Sequence, residues 1–140
     1  MADACQGPTD ATAVRRGYTE VIPTAKVVLS EVANGLAFDR RTYEERMDES
    51  MVQRVANVLF AAALPVRCDT EQMFEVYHQA HADSEVVVLG AATAETVCWH
   101  HARVGEVIIT AGYADAERSA AEVVRRAAFN RCYRPIIEED

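Results

Sequence analysis

The spacing of apolar residues changes once along this chain, and that change sets the fold class. In the first half apolar positions recur at helical intervals: Val28, Leu29, Val32 and Leu36 in one stretch, Met51, Val55, Val58 and Leu59 in another. Near Ala61 the pattern shifts. Leu64, Val66 and Cys68 alternate with other residues, and short β-prone runs follow. A period near 3.6 lines up one stripe of a helix, and a period of 2 lines up one face of a strand. Helices should therefore come first and a sheet after them.

Local signals divide these halves. Asp10 suits the cap of a short helix over residues 11–20. Pro23 fits the first turn of a second helix, where its missing N–H costs nothing, and Asn34-Gly35 weakens that helix's end. Asp39 is a good cap for residues 40–47. Pro65 demotes the strand around Leu64–Cys68 to an edge position. Asp69 with Gln72 makes a capping box for a helix over 70–81, with Met73, Phe74, Val76 and Tyr77 as its stripe. Residues 85–89, 96–101 and 106–110 are three strands, and Ala102–Gly105 is a hairpin turn. A final helix starts at Asp115, with Ala116, Ala120, Val123, Val124 and Ala127 inward and Pro135 beyond its end. The reading is an α+β fold: N-terminal helices, then β-α-β-β-β-α, forming a mostly antiparallel four-stranded sheet with helices on one face. Residues 1–9 read as a disordered leader, 10–134 as one domain and 135–140 as an acidic tail.

Charge bounds the setting. Asp and Glu number 22 against 14 Lys plus Arg, the net charge is −8, and Lys26 is the only lysine. Such a surface repels its own copies, and at molar ionic strength screening falls to a range of about 3 Å. Salt adaptation explains the composition, and so does a GC-rich genome that favours Arg codons. The four cysteines, Cys5, Cys68, Cys98 and Cys132, form no CxxC pair and read as free thiols in a reducing compartment. The start of the chain has no basic-then-apolar signal pattern. The longest nearly apolar run, Val58 to Val66, is far short of the ~20 residues a membrane helix needs. A cytoplasmic protein with no membrane contact is expected.

Four spaced stretches bear a family resemblance: Phe38-Asp39-Arg40 through Tyr43, Glu44, Glu45 and Arg46; Val58-Leu59-Phe60-Ala61; Trp99-His100; and Arg125-Arg126 through Ala128-Phe129, Arg131, Tyr133 and Arg134. In this order the chain resembles an uncharacterised haloarchaeal family, a domain of unknown function, over roughly residues 15–134. The resemblance implies a halophilic archaeal cytoplasm and carries no activity. His78, His81 and most of the cysteines lie outside its pattern.

Three constellations invite a functional reading. Arg125, Arg126, Phe129, Arg131, Tyr133 and Arg134 form a basic, aromatic segment with no acidic residue. Arginine forks pair with phosphates and carboxylates, and rings between them offer stacking platforms for RNA or anchors for a protein. The plain alternative is pairing within the chain, with Glu122 or the acidic tail. Cys98 and His100 share one strand face, and His78 and His81 share one helix face. If those faces meet, the four make a tetrahedral zinc site. Otherwise Cys98 is core, His100 is buried and hydrogen-bonded, and the other two end a solvated helix. Cys68 or Cys98 beside His100 or His101 would form a thiolate–imidazole pair. The acidic run Glu44-Glu45 with Asp48-Glu49 reads as a solvated helix face before a cation site. No glycine loop cradles phosphate, which removes those routes to a nucleotide cofactor.

The balance leans away from an enzyme. It favours a non-catalytic interaction module that contacts a protein or ribonucleoprotein assembly such as the ribosome, through the Arg/aromatic segment. A small metal- or cysteine-dependent enzyme built on the Cys/His cluster is one alternative. A homo-oligomeric structural protein is the other.

Overall fold

In the computed structural model residues 5–35, 49–90, 95–114 and 117–139 are described. The expected helix over 40–47, most of the acidic run 44–49, the stretch Phe38–Arg46 and the helix start at Asp115 fall outside them.

The first helix, α1, runs unbroken from Ala11 to Gly35. Asp10 caps it: its Oδ1 accepts from Ala13 N at 2.8 Å. Pro23 lies inside this helix and does not begin a second one. A proline within a helix costs about 3 kcal/mol in lost bonding and steric conflict, so packing has to outweigh it. That packing is against α2, Glu49–Ala62, which runs beside α1. Tyr18 reaches across, its hydroxyl donating to Asn57 Oδ1 at 2.9 Å. The buried stripe of α1 is Val14, Ala25, Leu29 and Ala33, while Val28 and Val32 face outward. Small alanines allow close approach, so they hold the contact face that the valines were expected to occupy.

The sheet follows. Strand β1 is Arg67–Thr70, β2 Glu85–Leu89, β3 Thr96–Ala102 and β4 Val107–Tyr113, in the order β1-β3-β4-β2. β1 is an edge, as Pro65 just before it suggests. β1–β3 and β3–β4 are antiparallel, and β2–β4 is parallel. The β3–β4 turn spans Arg103–Glu106, with Glu106 at φ 51°, a left-handed conformation that favours glycine. Helix α3, Glu71–Ala80, is capped by Thr70, whose Oγ1 accepts from Met73 N at 3.2 Å. The capping-box reading is one residue off, because Asp69 instead bonds Thr70 N and Arg67.

Alternation along β3 builds two cores. Cys98 and Ala102, with Ile109 and Ala111 of β4, face α4, Glu117–Ala128, and the N-terminal helices. Val97 and Trp99, with Ile108, face Phe74 and Tyr77 of α3. The main helical layer thus lies on one face, and α3 adds a cover on the other. Residues 5–8, expected in a disordered leader, extend the β1 edge: Cys5 is fully buried and Gln6 bridges His101. At the other end α4 runs into a π-helical turn, Phe129–Tyr133, and then α5, Arg134–Glu138. Pro135 sits in the first turn of α5, where no N–H is needed. The acidic tail is therefore largely helical, with Ile136 and Ile137 packed on the core.

Candidate functional site

Among the described residues a groove of about 560 Å³ opens between α2 and α4. Asn57, Val58, Ala61 and Ala62 line it from α2. Glu122, Arg125, Arg126, Phe129, Asn130 and Arg134 line it from the other side. Three of the four arginines of the C-terminal segment therefore converge. The π turn sends the fourth elsewhere: Arg131 pairs with Glu85 of β2 at 3.2 Å. The aromatic members turn inward. Phe129 and Tyr133 are buried in the core, tilted and edge-on against Phe60, so they are not stacking platforms for RNA bases.

The three groove arginines differ. Arg125 Nε donates to the Leu64 carbonyl at 2.9 Å, which fixes it as part of the wall. Arg134 Nε donates to Glu138 Oε1 at 2.8 Å across one helical turn. Arg126 is exposed and, among the described residues, makes no ion pair or hydrogen bond. Beside it Val58 is 67% exposed, an apolar floor left to water. The lining thus holds three cations and one carboxylate in a chain of net charge −8.

The expected zinc quartet does not assemble. Cys98 stands directly opposite Cys68 in the β1–β3 ladder, and the two sulfurs are joined in a disulfide. Register explains it: facing residues on antiparallel strands put their Cβ atoms within reach of such a bond. Neither sulfur is a thiolate, so neither serves as a metal ligand or a nucleophile, and only Cys5 and Cys132 are free thiols. The sheet also divides the histidines. His100 shares the α4 side with Cys98, whereas His78 and His81 belong to α3 on the other. The rings beside His81 are those of Tyr77, with centroids 4.4 Å apart, and His101, 5.0 Å apart.

Both β3 histidines are fully buried and fully bonded. His100 Nδ1 lies 2.6 Å from the Pro65 carbonyl, which only accepts, so Nδ1 carries the proton. Its Nε2 then accepts from the Tyr133 hydroxyl at 2.6 Å. Burial pushes the His100 pKa down to about 4, although the Pro65 bond acts the other way.

His101 is a link in a ring of six side chains. Ser84 Oγ donates to Glu106 Oε2 at 3.0 Å, so it accepts from His101 Nε2, also at 3.0 Å. His101 Nδ1 then accepts from Tyr77 at 2.6 Å. Gln6 Nε2 donates to that same Tyr77 oxygen, Arg103 donates to Gln6 Oε1, and Arg103 Nε returns to Glu106 at 3.0 Å. Burial lowers the His101 pKa against the pull of nearby Glu106. The Arg103 bond holds the Glu106 carboxyl below its usual range. Sequence reading missed Gln6, Tyr77, Ser84, Arg103 and Glu106 as a set, because they come from four separate segments and only Arg103 and Glu106 are neighbours in the chain. The adjacent pair His100-His101 in a β-prone run was the available signal, since alternation sends such a pair to two faces.

These features define an α+β domain with a sealed polar interior and an open cationic groove. Its sequence matches the model of the Family of unknown function (DUF5809) over residues 5–134, and the chain belongs to that family. No curated protein and no solved structure matches the chain. No helix among the described residues is long and apolar enough to cross a membrane.

Proposed function

We propose that this chain is a non-catalytic interaction module that seats an acidic, aliphatic-sided segment of a protein partner in the groove between α2 and α4. The observation that carries this reading is the placement of Arg125, Arg126 and Arg134 around an exposed apolar floor, in an otherwise acidic molecule. Charge complementarity selects carboxylates. Val58, Ala61 and Ala62 select the apolar side chains between them. RNA is the weaker occupant, because the rings that would stack on bases are in the core. A catalytic reading also loses support, since Cys68 and Cys98 are bonded to each other and both β3 histidines are sealed from solvent.

The setting proposed is a salt-rich haloarchaeal cytoplasm. The family resemblance and the acidic, nearly lysine-free composition support it. At molar salt long-range attraction is screened, so the groove would work through contact: bidentate Arg–carboxylate bonds and apolar burial.

Capture from source lysate at molar salt, with and without nuclease, tests the proposal. Partner protein should be retained by the full chain and by Arg118→Glu, an exposed arginine outside the groove. It should be lost with Arg126→Glu and with Val58→Glu. Retention by all four proteins, or loss on nuclease treatment alone, would contradict the reading.

A further inference from the structure

The N-terminal segment touches both buried histidine networks, one on each side of β3. Its two backbone bonds to β3 are both with His101: His101 N donates to Cys5 O at 2.8 Å, and Gly7 N donates to His101 O at 3.0 Å. On the α3 side Gln6 bonds Tyr77 and Arg103, and the Cys5 side chain packs with Tyr77 and Trp99. On the α4 side Gly7 lies against the other pair. A Cβ there would fall inside the Tyr133 hydroxyl and 3.1 Å from His100 Cε1 and Nε2. Only glycine lets the chain approach this closely. The segment thus closes over one edge of the His100 ring and completes the ring of bonds around His101.

From this geometry we infer that residues 5–8 are a latch on the β3 edge that acid releases, baring the His101 backbone edge and the Cys5 thiol while the rest of the sheet stands. Both histidines must be neutral for the closed pattern to hold. His100 has one nitrogen donating to Pro65 and the other accepting from Tyr133. His101 has one accepting from Tyr77 and the other donating to Ser84. A second proton on either ring removes an acceptor that a tyrosine is using. The groups facing His100 are Tyr133 of the π turn and Arg125 of α4, with His101 next in the chain, and none is an anion. Facing His101 are Tyr77 and His81 from the α3 side, Ser84, and Arg103 and Glu106 of the turn. Glu106 alone favours a charged ring, and it is already engaged by Arg103 and Ser84. With the latch open, one edge of His100 meets water and titrates nearer its ordinary 6.5, against about 4 when closed. The open state therefore gains a proton that the closed state refuses. Opening grows by roughly tenfold per pH unit below that ordinary value, levelling off near the closed-state value.

Hydrogen exchange on the full chain tests this, with protection of the His101 and Gly7 amides corrected for intrinsic exchange. Ile109 of the central strand β4 serves as the internal reference. Between pH 6 and 4.5 the two latch amides should lose about tenfold protection per unit while Ile109 holds. Gly7→Ala should show the same loss already at neutral pH, with Cys5 open to a disulfide reagent in a Cys132→Ser background. Latch and Ile109 amides losing protection together would overturn the proposal. So would latch protection that is flat across this range, or a folded Gly7→Ala chain with Cys5 still protected.

Discussion

The groove and the histidine interior treat polar groups in opposite ways. Inside, every hydrogen-bonding nitrogen of His100 and His101 has a partner within 3.0 Å, and the partners come from segments far apart in the chain. In the groove Arg126 points to solvent and Val58 remains uncovered. A buried polar group without a partner costs about 1–3 kcal/mol, which presses the interior toward completeness, and the buried Trp99 Nε1, left without a partner among the described residues, is the exception. An exposed arginine has no such requirement. The difference separates the residues that hold this fold from those free to meet another molecule.

That separation can be broken from the inside first. Trp99→Ala should cost about 3–5 kcal/mol, because the indole is fully buried between Phe74, Tyr77 and Ile108. Chemical denaturation measures it, and a cost below about 1 kcal/mol would show this core to be loosely packed. Acid comes next. His100 is neutral in the fold with its pKa near 4, against an ordinary 6.5, so the unfolded chain binds the extra proton first. Its stabilising contribution is complete above that ordinary value. It is lost as pH falls toward the folded value, to the extent of about 3 kcal/mol. Stability measured over this window should fall more steeply for the wild type than for His100→Gln. Tyr133→Phe is smaller, about 1–3 kcal/mol, because it leaves the His100 Nε2 lone pair buried and unpaired. The smallest effect belongs to the groove: Arg126→Glu should change stability by no more than about 0.5 kcal/mol.

Much of this architecture was legible where the signal is local. The Asp10 cap, the β3–β4 hairpin and the edge position of β1 each follow from a few neighbouring residues. Other features are set by register and tertiary packing. The Cys68–Cys98 bond depends on which strands are neighbours and in what phase, which a 30-residue separation does not reveal. Pro23 signals a helix start, yet packing along α2 carries α1 through it. The Arg/aromatic segment was recognised as a unit, but the π turn splits it: three arginines face the groove, Arg131 turns to Glu85, and the rings go inside. Gly7 carries no sequence signal of its closeness to Tyr133 and His100, because they are far along the chain.

The division of labour between interior and groove is tested most directly by melting temperature and partner capture measured side by side in Arg126→Glu and Tyr133→Phe. Arg126→Glu should abolish capture and leave the melting temperature within a degree or two of the wild type. Tyr133→Phe should lower it by several degrees, roughly 4 °C per kcal/mol lost, and retain the partner at temperatures where it is folded. Capture that survives Arg126→Glu but is lost in folded Tyr133→Phe would contradict the account.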